Sequence, residues 1–436
     1  MLCALDKIMS DYNLLKNMGR IGLVINQTST SSHYYSAAEV IYNAALKTTG
    51  TKVTAIFGPQ HGYAQTEQDN MKETPDSVFE FSDGTEVPLY SLYSETRMPT
   101  AEQLSNVDTL VVDLQDIGCR VYTYMLTLAG CLRSAAQFAK KVDVLDRNNP
   151  LGLCYFSSEH KRWMRVEGNK LQSRFHSFVG WYEIPMRHGL SMGELGKYFI
   201  HCDKLNVEYQ VIPVDGLARN SYINKEQIAP WTMPSPNIPS FLSAFLFPAF
   251  VSLEGTNVSE GRGTTIPFQL IGSPWLDTRQ CIRFLEENKN IFTVNPKVQT
   301  GLVFREHDFR PTFNKHMGKI CRGIQFHIEN PENINLFKLG LCFLYFCNVF
   351  HVNDFKWSEP GYEYNFKDLP INLILGDDGF SNLFKNSQVK RTGQDLTRSL
   401  NDEKYMEKFT NLVKISEEES QTFTEEAVNY FIYDKA

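Results

Sequence analysis

One polar stretch of the chain, from Leu253 to Trp275, concentrates side chains that can transfer protons or bind charge, and it reads LEGTNVSEGRGTTIPFQLIGSPW. Its spacing fits neither an amphipathic helix nor an alternating strand, and its glycines permit sharp bends. We therefore predict a long loop that forms one wall of a functional site. The candidate residues in this loop are Glu254, Asn257, Glu260 and Arg262.

Further polar groups follow short apolar runs that we predict as strands, at Lys52–Phe57, Asp108–Val112 and Val142–Leu145. In open α/β sheets the ligand crevice lies outside the carboxyl ends of the strands. Position alone therefore marks these groups as site candidates. In chain order they are Gln60, His61, Asp113, Asp116 and Asp146.

The elements that must position these groups alternate between strand and helix in the first part of the chain. Another strand is predicted at Gly19–Ile25, and helices at Ser36–Leu46 and Val121–Lys140. This alternation is typical of an α/β fold, a parallel sheet with helices on both faces.

After about Trp275 the pattern changes to a smaller α+β arrangement with one strand, Lys319–His327. The helices predicted there are Asp277–Asn288, Ile334–Phe350, Glu403–Ile415 and Glu425–Ile432. We predict a first domain over residues 1–270 and a second over residues 271–436 that closes a cleft. The polar loop then lies near the domain junction, where pockets often form.

The acidic candidates favour glycoside hydrolysis, which commonly uses one carboxyl group as acid and another as base or nucleophile. Glu254 and Glu260 are six residues apart, which is roughly 20 Å in an extended strand and too far for one sugar. Either the glycines fold the loop back, or one Glu of the loop pairs with an acid at a strand end. Tyr122 and Tyr124 would offer stacking faces and hydroxyl donors, or would fill the core.

Composition and motifs argue against several other classes of protein. The balance of 43 basic and 50 acidic residues gives a net charge of -7, which disfavours nucleic acid as the main partner. The first strand runs into Asn-Gln-Thr-Ser rather than a glycine-rich fingerprint, which disfavours dinucleotide binding. The histidines lack metal-ligand spacing. Asp113 and Asp116 could hold Mg²⁺, but strand-end carboxylates more often bind hydroxyls or pair with arginine, so we predict no metal site.

The nine cysteines have no CxxC spacing, which indicates reduced thiols rather than zinc ligands or disulfides. No apolar run reaches the roughly 20 residues of a membrane-spanning helix. The N-terminus lacks the pattern of a signal peptide. From these features we expect a cytoplasmic location.

A possible serine nucleophile lies in Gly189–Gly193, GLSMG, which matches the G-x-S-x-G elbow. That elbow requires a strand directly before it, and Pro185 argues against one. Ser191 and Glu194 instead fit a capping box at the start of a helix. We favour the capping role for Ser191.

Six motifs occur in order along nearly the whole chain. They are GLVINQTS (22–29), FGPQHGY (57–63), DLQDIGCRVYTY (113–124), LDRNNP (145–150), PMRHGLSMGELG (185–196) and LEGTNVSEGRGTTIPF (253–268). This set resembles the exo-β-N-acetylmuramidase family.

The resemblance implies a Rossmann-like first domain, a cleft between two domains, and removal of terminal β-linked N-acetylmuramic acid from peptidoglycan fragments. It implies no cofactor. Within it Glu260 and Glu254 are the acid or base candidates, and Asp116 and His61 assist them, while Arg262 or Arg187 would meet the lactyl carboxylate. The remaining substrate-binding candidates are Gln60, Asp113, Arg120, Tyr122, Tyr124, Asp146, His188 and Asn257.

Two features depart from the family pattern. Many members have Glu where this chain has Gln60, and an amide cannot replace a carboxyl group as proton donor. Glu67 or a Glu of the polar loop would then serve, or the chain would be a non-catalytic muropeptide- or amino-sugar-binding protein. Many members are also exported, which the sequence as given does not predict. The stereochemical outcome and the oligomeric state are left open.

Overall fold

The computed structural model of the chain describes residues 2–68, 71–94, 96–221, 231–385 and 403–434. The first part contains nine strands within these residues. They are β1 (Gly19–Ile25), β2 (Thr51–Gly58), β3 (Ser77–Glu80), β4 (Glu86–Ser91), β5 (Thr109–Asp113), β6 (Lys141–Leu145), β7 (Tyr155–Ser157), β8 (Arg162–Met164) and β9 (Glu208–Ile212).

A mostly parallel sheet organises this part. Within the described residues its order is β3-β4-β2-β1-β5-β6-β9, and β3 alone runs antiparallel to its neighbour. If the six parallel strands are numbered along the chain, their order is 3-2-1-4-5-6, that of a Rossmann fold. Every residue of β5 is buried, as expected for a strand covered on both faces. The predicted α/β, Rossmann-like fold is confirmed.

Helices pack around this sheet, and one of them begins at the capping signal that the sequence predicts. They are α1 (Ala4–Ser10), α2 (Ala37–Leu46), α3 (Tyr124–Gln137) and α4 (Met192–Asp203). The Ser191 side chain accepts from the backbone N–H of Glu194, and the Glu194 side chain accepts from that of Ser191. The capping box predicted for α4 is therefore present. Helix α3 begins three residues later than predicted, because Val121–Thr123 form a turn instead.

The second part combines helices with an antiparallel sheet of order β10-β12-β11. Its strands are β10 (Leu270–Ser273), β11 (Leu302–Glu306) and β12 (Arg322–Ile328). Its helices are α5 (Phe241–Phe250), α6 (Thr278–Glu287), α7 (Leu336–Phe350), α8 (Pro370–Leu375), α9 (Gly379–Lys385) and α10 (Glu403–Ala427). No helix among the described residues is long and apolar enough to cross a membrane.

The C-terminal helix differs from the prediction of two short helices at Glu403–Ile415 and Glu425–Ile432. One helix, α10, runs through to Ala427 and is followed by a single 3₁₀ turn, Val428–Tyr430. The sequence between the two predicted helices has neither Gly nor Pro, so nothing in it interrupts the helix.

Helices α5 and α7 pack closely against each other. A Cβ added to Gly340 in α7 would lie 2.0 Å from the carbonyl oxygen of Ala249 in α5. Helix α5 lies before residue 270 in the sequence, yet it packs with α7, which lies after it. The domain boundary predicted at residue 270 stays a prediction.

Candidate active site

A cleft of about 500 Å³, counting its open mouth, lies between the carboxyl ends of the parallel strands and the polar loop. Residues from both parts of the chain line it. Its polar lining consists of Gln60, His61, Tyr122, Thr123, Tyr124, Ser235, Asn237, Glu254, Arg262, Tyr362 and Glu363. Six sequence-predicted site residues are thus brought together: Gln60, His61, Tyr122, Tyr124, Glu254 and Arg262.

Arg262 lies at the centre of a buried charge network in the polar loop. Its Nη2 donates to Glu254, and its Nε lies 3.1 Å from an oxygen of Glu260. Lys315 donates to the other Glu260 oxygen at 2.8 Å. Burial acts to raise the pKa of Glu260, but Lys315 and Arg262 outweigh it and hold that pKa below its ordinary value. Glu260 is therefore an ionised group that orients Arg262, and it does not line the cleft.

The loop folds back on itself at two glycines in left-handed conformations. Gly261 has a φ of 83° and Gly263 a φ of 80°, which glycine adopts without steric cost. A Cβ at Gly261 would lie 2.3 Å from the carbonyl oxygen of Leu270, and one at Gly263 would lie 2.6 Å from that of Phe313. This folding brings both Glu254 and Glu260 to the same guanidinium, in place of the roughly 20 Å separation of an extended strand.

Glu254 lines the cleft and is held on two sides. Besides Arg262, the Tyr362 hydroxyl donates to Glu254 Oε2 at 2.8 Å. Burial, with the adjacent Glu254, raises the pKa of Tyr362 well above its ordinary value, so this hydroxyl keeps its proton. Glu254 is therefore a carboxylate fixed by charge-assisted hydrogen bonds.

Gln60 and His61 follow β2 and form the opposite wall. Gln60 is 6% exposed, and its amide oxygen accepts from the Thr123 hydroxyl. His61 Nδ1 lies 2.6 Å from the carbonyl oxygen of Glu67, so Nδ1 carries the proton and Nε2 is an acceptor. Burial lowers the pKa of His61 to about 4, and nearby Arg262 adds to this effect. His61 is therefore a neutral imidazole at neutral pH.

Tyr122 and Tyr124 form the floor of the cleft at the point where the strand order reverses. The Tyr124 hydroxyl accepts from Asn26, at the end of β1, at 2.8 Å and from Gln65 at 2.9 Å. The two rings meet edge to face, with centroids 4.9 Å apart. This is the topological switch point at which ligands bind in such sheets.

The two arginines Arg120 and Arg187 are buried away from the cleft lining. Arg120 donates to four backbone carbonyls, including those of Ile374 and Leu375 at the end of α8. Arg187 pairs with Glu167, whose other carboxylate oxygen accepts from backbone N–H groups at the start of α7. Both guanidiniums thus tie the two parts of the chain together.

The strand-end aspartates are likewise engaged in the scaffold. Asp113 forms a two-contact ion pair with Arg147. Asp146 accepts from the Ser191 hydroxyl at 2.6 Å and the Tyr433 hydroxyl at 2.7 Å. Burial raises the pKa of Asp146 to about 6, although these hydrogen bonds oppose it.

Asp116, His188 and Asn257 also lie outside the cleft lining. Asp116 Oδ2 accepts from the backbone N–H of Gly118 at 2.6 Å and lies 3.7 Å from His188 Nε2. His188 is fully buried. Asn257 bonds the backbone of Asp354 and Lys356 and so anchors the polar loop. Among the described residues, no group of three or more His, Cys, Asp or Glu side chains is placed to hold a metal ion.

Five polar lining residues were not among the sequence candidates: Thr123, Ser235, Asn237, Tyr362 and Glu363. Two of them lie in the proline-dense segment Trp231–Pro239, whose rigid, extended composition is compatible with either a cleft wall or a linker. Tyr362 and Glu363 belong to a short 3₁₀ turn far along the chain, with no local motif that distinguishes them.

Comparison with protein families identifies the chain. A family model described as exo-β-N-acetylmuramidase NamZ, N-terminal, matches residues 21–242, and the corresponding C-terminal model matches residues 245–433. The chain belongs to the NamZ family. This is a family of glycoside hydrolases, in agreement with the resemblance of the six motifs.

Among curated proteins, the chain is similar to the peptidoglycan β-N-acetylmuramidase NamZ of Bacillus subtilis (strain 168). The two are 35% identical over 358 residues, which is 82% of this chain and 80% of the relative. Among solved structures, a DUF1343 family protein of Bacteroides fragilis NCTC 9343 is 25% identical, with a TM-score of 0.75 and 99% of each chain covered. A second protein of that description and organism, at 23% identity and a TM-score of 0.64, shares the fold.

Proposed function

We propose that the chain is an exo-acting glycoside hydrolase that releases terminal β-linked N-acetylmuramic acid from peptidoglycan fragments, and that the cleft described above is its active site. Membership of the NamZ family and the name of the Bacillus subtilis relative support the reaction. The observation that carries the assignment of the site is the cleft in which Glu254, Arg262 and Glu363 meet the strand ends of the Rossmann-like sheet.

Arg262 is the residue to which we assign the lactyl carboxylate of the substrate. Among the described residues that line the cleft it is the only permanent cation, since His61 is neutral. Glu254 and Glu260 fix its guanidinium, and a guanidinium so fixed can recognise a carboxylate through paired hydrogen bonds.

Glu254 is assigned to the face of the sugar where positive charge develops at C1. The transition state of glycoside hydrolysis resembles an oxocarbenium ion, and a fixed carboxylate stabilises such charge more effectively than a mobile one. The Tyr362 hydroxyl limits the rotation of Glu254. His61 Nε2, as a neutral acceptor, suits a hydroxyl or amide N–H of the sugar.

The experiment that tests this function compares two chromogenic substrates that differ only in the lactyl ether. The protein should hydrolyse the β-N-acetylmuramide and spare the β-N-acetylglucosaminide. Arg262→Met should reduce this preference, whereas Arg20→Met, at a partly buried ion pair with Asp108 outside the cleft lining, should leave it intact. If neither substrate is turned over at any pH from acid to alkaline, the proposed glycoside hydrolase function is refuted.

Gln60 favours a second candidate function, a non-catalytic muropeptide-binding protein on the same scaffold. An amide stands at this cleft-lining position and cannot donate an acid proton. Saturable muropeptide binding in calorimetry, with no product after long incubation, would support this alternative. Product formation by the unmodified protein would exclude it.

A further inference from the structure

Glu363 is a cleft-lining carboxyl group that differs in kind from Glu254 and Glu260. It is 8% exposed and lies in the 3₁₀ turn Tyr362–Tyr364. Its backbone is left-handed, with φ 47° and ψ 42°, and the next residue has a φ of 61°. Such conformations cost about 1–3 kcal/mol each and persist only where the surroundings enforce them. The fold therefore holds this side chain in the cleft against a local preference.

The contacts of Glu363 are neutral rather than cationic. The Tyr93 hydroxyl lies 3.4 Å from both carboxylate oxygens, and the backbone N–H of Glu363 donates to Met71 Sδ at 3.1 Å. The Arg97 guanidinium stacks over the Tyr93 ring at 3.8 Å from its centroid, and so is held on the ring instead of on the carboxylate. Glu254 and Glu260, by contrast, each contact Arg262.

This environment favours the protonated carboxyl group. Burial raises the pKa of Glu363 to about 7; Arg97 opposes the shift, and the negative charge of Glu254 adds to it. A buried carboxyl group that keeps its proton near neutral pH, beside a second carboxyl group paired with an arginine, is the arrangement that separates acid from base.

We propose that Glu363 is the proton donor of the reaction, in the place that the amide of Gln60 cannot fill. This inference rests on the proposed glycosidase function and on the shared cleft of Glu363, Gln60 and Glu254. The Thr123 hydroxyl donates to the Gln60 amide oxygen. Gln60 therefore keeps a positioning and hydrogen-bonding role on the wall of the cleft that it forms with His61.

Glu363 transfers its proton to the glycosidic oxygen while the C1–O bond breaks, and the bonding electron pair stays on that oxygen, which leaves as a hydroxyl. Glu254 stabilises the positive charge at C1. A water molecule then forms the new C1–O bond, and the proton it releases returns to the Glu363 carboxylate.

The test is Glu363→Gln, measured on two β-N-acetylmuramides, one with a nitrophenolate leaving group and one with a sugar leaving group. A nitrophenolate needs little protonation, so kcat on that substrate should fall far less than kcat on the sugar-leaving substrate, where about a 10²–10⁴-fold loss is expected. The alkaline limb of the pH profile, near 7 in the unmodified protein, should disappear. Glu359→Gln, at an exposed position four residues upstream, is the matched control.

A second variant keeps the proposal testable if Glu363→Gln does not fold. The Tyr93 hydroxyl lowers the pKa of Glu363, so Tyr93→Phe should move the alkaline limb to higher pH. Equal losses on both substrates, or no loss, in Glu363→Gln would overturn the inference, as would an unmoved limb in Tyr93→Phe. An unmodified protein without activity would instead overturn the proposed function itself, so the two failures are distinguishable.

Discussion

Replacing Arg262 by methionine is expected to remove the charge that holds the polar loop together. The side chains concerned are buried: Arg262 is 8% exposed, Glu254 7% and Glu260 2%. Removing one partner of a buried ion pair costs about 3–5 kcal/mol, because a charge is left in an apolar environment. Lys315 still contacts Glu260 at 2.8 Å, so the lower end, about 3 kcal/mol, is expected.

The assay is urea denaturation at neutral pH, with Arg20→Met as the matched control. The Arg20–Asp108 ion pair is only partly buried, with side chains 35% and 43% exposed, so solvent screens it and it contributes about 1 kcal/mol. Methionine replaces most of the aliphatic volume in both variants. The difference between the two losses of unfolding free energy therefore reports burial of the charge.

The pH dependence of the unfolding free energy lost in Arg262→Met is a second readout. In the unmodified protein the pKa of Glu260 is below its ordinary value of 4.5, so this group adds stability that is present above pH 4.5 and is lost as the pH falls through the folded pKa. Arg262→Met raises that pKa. The difference in unfolding free energy between the unmodified protein and Arg262→Met should therefore narrow as the pH falls towards and below 4.5. A loss no larger than that of Arg20→Met, or a gap independent of pH, would refute the charge network.

Three further outcomes are expected. Ser191→Ala should cost about 2 kcal/mol, from the lost helix cap and the hydrogen bond to Asp146, with turnover unchanged; loss of turnover in a folded variant would revive a serine nucleophile. In chemical denaturation, Gly261→Ala should lose about 1–3 kcal/mol more unfolding free energy than Gly84→Ala. Both glycines have a φ near 84°, but only at Gly261 would the added Cβ clash with the backbone. Equal losses in the two variants would contradict this. Since the folded pKa of Glu363 is about 7 against 4.5, stability should fall by about 3 kcal/mol as the pH rises between those values and stay low above pH 7; Glu363→Gln should abolish this slope, and a slope that persists would show that another group causes it.

Most of the sheet could be predicted from the sequence because its strands are short, continuous apolar runs that end in polar residues. Strands β1, β2, β5 and β6 lie within a residue or two of their predicted bounds. Strand β9, Glu208–Ile212, has only half-buried and exposed positions, and it escaped prediction because an edge strand needs no apolar run.

The candidate site was predicted only where chemistry and sequence motif coincide. Glu254, Arg262 and His61 meet in the cleft, because the polar loop and the strand ends face each other. Arg120 and Arg187 carry the same charge, but their partners are backbone carbonyls and a glutamate that come from distant segments. No local pattern reveals such pairing.

Glu363 illustrates the converse limit of sequence reasoning. Its role as a proton-donor candidate depends on burial, on the ring of Tyr93 and on the position of Arg97, three tertiary features. The sequence around it reads only as a tyrosine-rich turn. Lys315 contacts Glu260 across 55 residues of sequence. The sequence did not reveal this contact, because it too depends on tertiary structure.

The exo-acting release of N-acetylmuramic acid is tested most directly with two disaccharides, in which N-acetylmuramic acid and N-acetylglucosamine are joined in opposite order. Each is incubated with the unmodified protein, and the products are analysed by mass spectrometry. The proposed function predicts release of free N-acetylmuramic acid from the disaccharide with that sugar at the non-reducing end, and no cleavage of the other. Cleavage of the disaccharide with N-acetylglucosamine at its non-reducing end, or cleavage of neither disaccharide, would contradict the proposed function.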